Sequence, residues 1–229
     1  MGNGMNKVLP GLYLGSFRDG KDSEQLRENE ITHIISIHDT AKEVVEDKTY
    51  LCIRVPDSPE ENLSKYFSKC NDFIHQARMN GGNVLVHCLA GVSRSATIAA
   101  AYIMSVTTLT CKDALKVVRG ARNIANPNYG FHSQLREYES YILTAERKRL
   151  KLKYPDFNQE EDEAECAKMI SVYHSNPPGN VPVAGPSWRR RSSTSSSASS
   201  SPVSSPVHHL RLKPRSASSS PKRGPLHRS

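Results

Sequence analysis

The sequence lacks a long hydrophobic run. Its longest nearly apolar stretch, residues 96–106, is interrupted by Thr97 and Ser105. It falls short of the about 20 residues that a membrane-spanning helix needs. No apolar run follows Met1, so we expect neither a transmembrane helix nor a secretory signal.

Cysteine is scarce, and its spacing suggests no pairs. An odd set of five is typical of reduced thiols in a cytosolic protein rather than of a disulfide framework. These residues are Cys52, Cys70, Cys88, Cys111 and Cys166. Because Cys52, Cys70 and Cys111 lie on apolar segments, we expect them in the core rather than as redox partners.

Metal-binding motifs are missing as well. The sequence contains no HExxH and no CxxC, its nine histidines are scattered, and its acidic residues cluster only at 159–165. A metal-dependent enzyme would need several carboxylate or histidine ligands. We therefore expect no metal and no cofactor.

Acidic residues are absent from the C-terminal part of the chain. Residues 176–229 hold nine of the 31 Lys and Arg residues and no Asp or Glu, which leaves 22 basic against 23 acidic residues elsewhere. A nearly neutral folded part argues against nucleic-acid binding. The tail is rich in Ser, Pro and Arg and poor in apolar residues, which predicts disorder.

Short apolar runs of strand length alternate with helical patterns. The expected strands are 11–15, 33–37, 50–55 and 84–86. The expected helices are 63–79, 95–107, 112–118 and 131–145, the last continuing through the basic run to Lys153, with one more in the acidic segment after 156. This alternation predicts an α/β fold with a mostly parallel sheet flanked by helices.

The stretch "VHCLAGVSRSA", residues 86–96, lies between a buried strand and a helix that is apolar on nearly all sides. Ligands of α/β sheets bind beyond the carboxyl ends of the strands, and helix N-termini offer free N–H donors to anions. Arg94 can also clamp two oxygens of a phosphoryl group in a fork. We expect that group to be bound by Leu89, Ala90, Gly91, Val92, Ser93 and Arg94.

Cys88 lies at the base of this loop. Donors that bind a phosphoryl group also stabilise a thiolate, so we expect the pKa of Cys88 below the free value of about 8.5. The thiolate can then attack phosphorus and form a covalent phosphocysteine. Ser95 can donate a hydrogen bond to the departing sulfur, and we expect His87 to support the loop from behind. Taken alone, a cysteine after a strand is more often a small buried residue.

The pattern HCxxxxxRS resembles the signature loop of cysteine-based protein phosphatases, and "HCLAGVSRSAT" is similar to their dual-specificity branch. The resemblance covers about residues 7–141 and includes "GLYLGS", "YLCIRVPDSP" and "NPNYGF". When the N-terminal segment "MGNGMNKVLPGLYLG" is included, the sequence resembles in particular the small N-myristoylated members of this branch, those of the JNK-stimulatory and VHY types. It implies a cysteine-phosphatase fold and hydrolysis of phosphotyrosine and phosphoserine or phosphothreonine in proteins.

The same resemblance implies phosphoprotein partners, in particular kinases of a mitogen-activated (JNK-type) cascade. The loop interior, residues 89–93, lacks the lysines that inositol-lipid phosphatases of this superfamily use for extra phosphates, which favours protein substrates. Two alternatives stay open: a phosphopeptide-binding module on the same fold with little turnover, and a sulfurtransferase-type thiol enzyme with a similar loop.

The departing alkoxide needs a proton donor, which speeds such a step about 10²- to 10⁴-fold. The candidates are Asp39, Asp57, Asp72 and Asp113. Asp72 lies within a helix, and Asp113 has the position of a capping acid. Asp57 follows a strand in a Pro-Asp-Ser-Pro turn, and the resemblance implies that it is the general acid. The same turn also favours an Asx turn.

Asn128 lies in the segment "NPNYGF". The resemblance implies that it braces residues 88–94, which we call the phosphate loop. Its turn-rich neighbours favour a turn or helix cap equally well.

Gly2 becomes the N-terminal residue once Met1 is removed. "MGNGMN" resembles a myristoylation signal, although Asn6 stands where the motif has Ser or Thr. One myristoyl chain anchors only marginally, and the basic tail can add attraction to anionic lipid. We expect a cytoplasmic protein associated peripherally with the inner face of the plasma membrane. The runs "RRR" and "PKR" of the tail are a weaker signal, for a nuclear pool.

These features divide the chain into four expected parts. They are an acylation segment 1–6, a dual-specificity phosphatase domain 7–152, an acidic helical extension 153–175, and a disordered basic tail 176–229.

Overall fold

The structure, a computed structural model, describes residues 4–176. Gly2 and the basic tail beyond Asn176 lie outside the described residues. Within residues 4–176, no helix is long and apolar enough to cross a membrane. No group of three or more His, Cys, Asp or Glu residues in the same range is arranged to hold a metal ion.

A sheet of five strands forms the centre of the molecule. The strands are β1 (Asn6–Leu9), β2 (Leu12–Gly15), β3 (Ile31–Ile37), β4 (Thr49–Ile53) and β5 (Asn83–His87). Their order across the sheet is β1-β2-β5-β3-β4; β1 pairs antiparallel with β2, and the other pairs are parallel. The predicted mostly parallel sheet is confirmed, with β1 as an additional edge strand.

Seven α-helices flank this sheet in the described part of the chain. They are α1 (Ser23–Glu28), α2 (Phe67–Met79), α3 (Arg94–Val106), α4 (Cys111–Ala121), α5 (Tyr129–Tyr141), α6 (Leu143–Lys153) and α7 (Gln159–Ser175). The patterns that predicted α2, α3 and α4 are confirmed within a few residues. The short helix α1, whose N-terminus is capped by the Asp22 carboxylate, was not expected.

The sheet centre leads directly into the central helix. β5 lies between β2 and β3, and its apolar residues Val84, Leu85 and Val86 are fully buried. A parallel strand covered on both faces requires such a continuous apolar run. Every residue of α3 is buried as well, so the loop that joins β5 to α3 begins and ends inside the core.

The structure corrects the single long helix expected from residue 131 onward. The helix is interrupted at Ile142, whose φ of −118° departs from helical geometry. The interruption changes which residues face the core after Tyr141. Ile142 is exposed, whereas Leu143, Glu146 and Leu150 are buried. Tertiary contacts account for this shift, because the Asn71 amide donates a hydrogen bond to Glu146 Oε1 at 2.8 Å.

The structure also corrects the expectation that Cys52 lies in the core. Cys70 and Cys111 are buried, but Cys52 is exposed. It lies on the edge strand β4, where Leu51 and Ile53 on either side of it are buried. Side chains alternate between the two faces of a strand, so the residue between two buried ones faces outward.

Helix α7 docks onto the core through a buried ion pair. Arg78 Nη2 donates to Asp162 Oδ1 at 2.6 Å, and both side chains are almost completely buried. Next to α4 the backbones come very close, since a Cβ on Gly120 would lie 2.1 Å from the Met169 carbonyl oxygen. The acidic segment is therefore packed against the core along α4.

Candidate active site

The loop between β5 and α3 has a backbone that only glycine suits at one position. Gly91 has a φ of +70°, in the left-handed region that other residues rarely adopt. A Cβ at this position would also lie 2.5 Å from the Gly15 carbonyl oxygen. The resulting turn directs the Gly91 N–H group to Cys88 Sγ, to which it donates a hydrogen bond at 3.2 Å.

Cys88 is 1% exposed and lies directly behind the N-terminus of α3. The Ser95 hydroxyl donates a second hydrogen bond to its sulfur at 3.2 Å. Burial raises the pKa of this thiol, but hydrogen bonds from the Ser95 hydroxyl and from the N–H groups of Ser95, Val92 and Gly91 outweigh it and lower the pKa. The geometry therefore favours a thiolate, as the sequence predicts.

Arg94, the first residue of α3, is buried and held by one of its terminal nitrogens. Its Nη1 donates to the Val55 carbonyl oxygen at 2.9 Å and lies 3.5 Å from Asp39 Oδ1. Its Nε is 3.8 Å from Asp57 Oδ2 and has no hydrogen-bond partner among residues 4–176. A buried guanidinium with a free donor is suited to bind an anion.

Asp57 follows β4 and lies against the phosphate loop, as its place in the sequence predicts. Its Oδ1 accepts hydrogen bonds from Ser93 Oγ at 2.7 Å and from Asn128 Nδ2 at 2.8 Å. The side chain is 35% exposed. Both of these hydrogen bonds go to Oδ1, and Oδ2 lies 3.8 Å from Arg94 Nε.

Asn128 caps helix α5 and also contacts Ser93 and Asp57. Its Oδ1 accepts a hydrogen bond from the Phe131 N–H group in the first turn of α5. Its own N–H group donates to Ser93 Oγ at 3.1 Å. The helix cap is therefore present, and the contacts with Ser93 and Asp57 are those through which Asn128 would brace the loop.

His87 is the last residue of β5 and contacts the start of the loop. Its Nδ1 lies 3.3 Å from the Cys88 carbonyl oxygen, and its ring packs against the ring of Phe17. Burial is the main cause that lowers the pKa of His87 to about 4, so the ring is neutral near pH 7. Since a carbonyl oxygen can only accept, Nδ1 carries the proton.

The remaining acid candidates have separate partners. Asp113 lies in the first turn of α4 and accepts a hydrogen bond from the capping residue Thr110. Asp72 lies on α2 and accepts hydrogen bonds from Arg149. Of the other candidates for the general acid, Asp39 is the one that lies near Arg94, with its Oδ1 at 3.5 Å from Arg94 Nη1.

One supporting residue gave no signal in the sequence. Arg122, directly after α4, donates from Nε to the Gly91 carbonyl oxygen at 2.9 Å and from Nη2 to the Ala90 carbonyl oxygen at 3.2 Å. About 31 residues separate it from this loop, and no local pattern connects the two segments.

Comparison with known proteins identifies the family. Residues 12–141 match the family model of the dual specificity phosphatase catalytic domain. The chain belongs to this family. The phosphatase is 55% identical over 164 residues to dual specificity protein phosphatase 22-B of Danio rerio, covering 71% of this chain and 90% of that protein. It is 51% identical to dual specificity protein phosphatase 15 of Mus musculus, over 71% of this chain and 70% of that protein.

Solved structures confirm the fold. The crystal structure of DUSP15 matches the phosphatase with a TM-score of 0.65 and 51% identity, covering 69% of this chain and 99% of that one. The crystal structure of human DUSP28 matches with a TM-score of 0.59 and 32% identity, covering 61% and 95%. The chain is thus a protein phosphatase for phosphotyrosine and phosphoserine or phosphothreonine, on an α/β cysteine-phosphatase fold.

Proposed function

We propose that the phosphatase works through a covalent phosphocysteine on Cys88, with Arg94 binding the phosphoryl group and Asp57 acting as general acid. This proposal rests on one observation: the sulfur of Cys88 accepts hydrogen bonds from the Gly91 N–H group and the Ser95 hydroxyl. Cys88 also lies on the same loop as Arg94. A buried thiol surrounded by donors is a poised nucleophile.

In the first step the Cys88 thiolate attacks phosphorus, and the new S–P bond forms as the ester P–O bond breaks. The proton on Asp57 Oδ2 passes to the departing oxygen, which leaves as an alcohol or phenol. Arg94 and the loop N–H groups neutralise the charge on the equatorial oxygens.

In the second step a water molecule attacks the phosphocysteine. Its proton passes to the Asp57 carboxylate, the S–P bond breaks, and inorganic phosphate is released. The sulfur leaves as a thiolate, which accepts the hydrogen bond of the Ser95 hydroxyl. His87 and Asn128 hold the loop and the acid in place through the contacts described above.

The test is to trap the intermediate. Rapid acid quenching during turnover of a ³²P-labelled phosphopeptide should leave label on the wild-type protein and none on a Cys88→Ser variant that still binds the peptide. Activity should persist in a metal chelator and disappear with vanadate. A Cys88→Ser variant with sustained turnover would rule out this mechanism, and binding without wild-type turnover would favour a phosphopeptide-binding module.

For the substrates we propose phosphorylated kinases of a mitogen-activated (JNK-type) cascade. The support is the resemblance of residues 1–15 to the JNK-stimulatory type and a loop interior without lysine. Phosphoproteins captured on the Cys88→Ser variant should include such kinases. A Cys88→Ser/Arg94→Ala variant, which lacks the phosphate clamp, is the matched control; equal capture on both would count against the proposal.

For its location we propose a cytoplasmic phosphatase held at the inner face of the plasma membrane by myristoylated Gly2 and the basic tail, with a nuclear pool when it is released. The support is the N-terminal "MGNGMN" and nine basic residues without an acid in 176–229. Binding of the acylated protein to vesicles with anionic lipid should weaken as salt rises. Gly2→Ala should abolish binding, and salt-insensitive binding would exclude the role of the tail.

A further inference from the structure

The guanidinium of Arg122 joins the phosphate loop to the N-terminal end of the described chain. Besides the carbonyl oxygens of Ala90 and Gly91, it contacts the segment 4–6, which we call the N-terminal arm. Nη1 donates to Asn6 Oδ1 at 2.8 Å and to the Gly4 carbonyl oxygen at 3.1 Å. Arg122 is 7% exposed, and these hydrogen bonds use four of its five N–H donors.

The carbonyl groups that Arg122 holds belong to the peptide units whose N–H groups face the sulfur. In a trans peptide the C=O and N–H groups point in opposite directions. Arg122 draws the Ala90 and Gly91 carbonyls to one side, and the N–H groups of Gly91 and Val92 therefore point to the other. These are two of the three backbone donors that lower the pKa of Cys88.

The charge of Arg122 is placed to act in the same direction. Burial lowers the pKa of Arg122, and the two charged groups that oppose this effect are Asp19 and Cys88. A cation that interacts with the Cys88 sulfur favours its thiolate form. Arg122 therefore stabilises the thiolate both by orienting peptide units and by its own charge.

We propose that Arg122 is a positioning residue that directs the Gly91 and Val92 N–H groups at the reacting centre, and that the N-terminal arm holds Arg122 in place. This inference rests on the proposed role of Cys88 as nucleophile. According to this proposal, the N-terminal arm influences the reactivity of the Cys88 thiol through Arg122, although the arm contacts neither the sulfur nor the substrate.

The arm is itself anchored, so its contact with Arg122 is well defined. The Met5 N–H group donates to Gln25 Oε1 at 2.9 Å, and Asn6 pairs with Leu14 in the antiparallel β1–β2 ladder. Only the Asn6 side chain and the Gly4 carbonyl group reach across to Arg122. Loss of these two acceptors leaves Nη1 of a buried cation unpaired, which destabilises its present orientation.

The experiment measures the reactivity of Cys88 as a function of pH. Alkylation of Cys88 by iodoacetamide is followed by mass spectrometry of its peptide, because exposed Cys52 also reacts, and kcat and KM are measured over the same pH range. Arg122→Met should move the alkylation midpoint and the acidic limb of kcat/KM to higher pH. Its kcat should fall by about tenfold or more, since misdirected oxyanion donors are costly.

Variants of the arm separate positioning from folding. Asn6→Ala should shift the midpoint in the same direction by a smaller amount, and Asn6→Asp, which keeps an acceptor, should restore the wild-type midpoint. Arg147→Met is the matched control, because Arg147 also donates to two carbonyl oxygens, those of Met104 and Leu109. It should leave both pH profiles unchanged.

A folded Arg122→Met variant with the wild-type midpoint and kcat would overturn the positioning role. If Arg122→Met does not fold, Asn6→Ala decides, and an unshifted midpoint in that variant would overturn the role of the arm. Failure of the proposed function would give a different result, because the wild-type protein itself would then form no phosphocysteine. That result does not depend on the Arg122 variants.

Discussion

Ser93 Oγ donates a 2.7 Å hydrogen bond to Asp57 Oδ1 and thereby ties the phosphate loop to the segment that follows β4. The two residues are 36 positions apart in the chain. Asn128 donates to the same carboxylate oxygen. Two separate segments therefore converge on Oδ1 of Asp57, and its second oxygen, Oδ2, lies 3.8 Å from Arg94 Nε.

This arrangement predicts that Asp57 is the proton donor. Asp57→Asn keeps an acceptor for Ser93 but cannot give a proton, so we expect turnover of phosphoserine peptides to fall about 10²-fold. The loss should be much smaller for p-nitrophenyl phosphate, whose leaving group needs little protonation. Steady-state kinetics with both substrates measures the difference.

Asp39→Asn is the control for this prediction. Asp39 also lies near Arg94, but its side chain is 55% exposed, and we expect its variant to show no dependence on the leaving group. If Asp39→Asn shows that dependence and Asp57→Asn does not, the roles of the two carboxylates are reversed.

Ser95→Ala removes a donor that lowers the pKa of Cys88. The pKa of the thiol should rise, so the acidic limb of kcat/KM should move to higher pH. The thiolate also becomes a poorer leaving group, and breakdown of the phosphocysteine should slow by about tenfold. Stopped-flow measurements should then show a burst of dephosphorylated product equal to the enzyme concentration.

Ser105→Ala tests whether this effect is specific, because Ser105 is buried on the same helix and donates to Ala101 and not to the sulfur. Its pH profile should match the wild type. An unmoved acidic limb in Ser95→Ala would contradict the assignment of Ser95.

Arg94→Lys keeps the positive charge but loses the planar fork. We expect kcat/KM to fall by about 10²-fold or more, because the donors of one ammonium nitrogen cannot bind two phosphoryl oxygens side by side while also reaching the Val55 carbonyl. Arg119→Lys, at a residue that donates to Ala125 and Asn126, is the comparison and should retain most of the activity. A nearly wild-type Arg94→Lys would mean that charge alone binds the phosphoryl group.

The buried pair of Arg78 and Asp162 should hold α7 on the core. Asp162→Ala leaves a buried cation unpaired, and we expect a loss of about 3–5 kcal/mol in the free energy of unfolding, measured in urea. Glu165→Ala removes an exposed pair with Lys168 on the same helix and should cost less than about 1 kcal/mol. Equal losses in both variants would show that the pair is not buried in solution.

Much of the site could be predicted because its central part is local in sequence. The phosphate loop is one continuous segment, and its donors are backbone groups that any helix N-terminus presents. The apolar run of β5 and the wholly buried α3 place Cys88 between them. The position of Asp57 needed the resemblance, since a Pro-Asp-Ser-Pro turn also occurs without any catalytic role.

The amino-acid sequence by itself determined strands β2 to β5, helices α2 to α4, the loop that holds Cys88 and Arg94, and the low pKa expected for the thiol. Only the tertiary structure decided the break at Ile142 and the contacts of Arg122 with residues 4–6 and 90–91. The physical reason is distance along the chain. Local backbone patterns decide where elements form, whereas the partners of a buried guanidinium depend on how those elements pack.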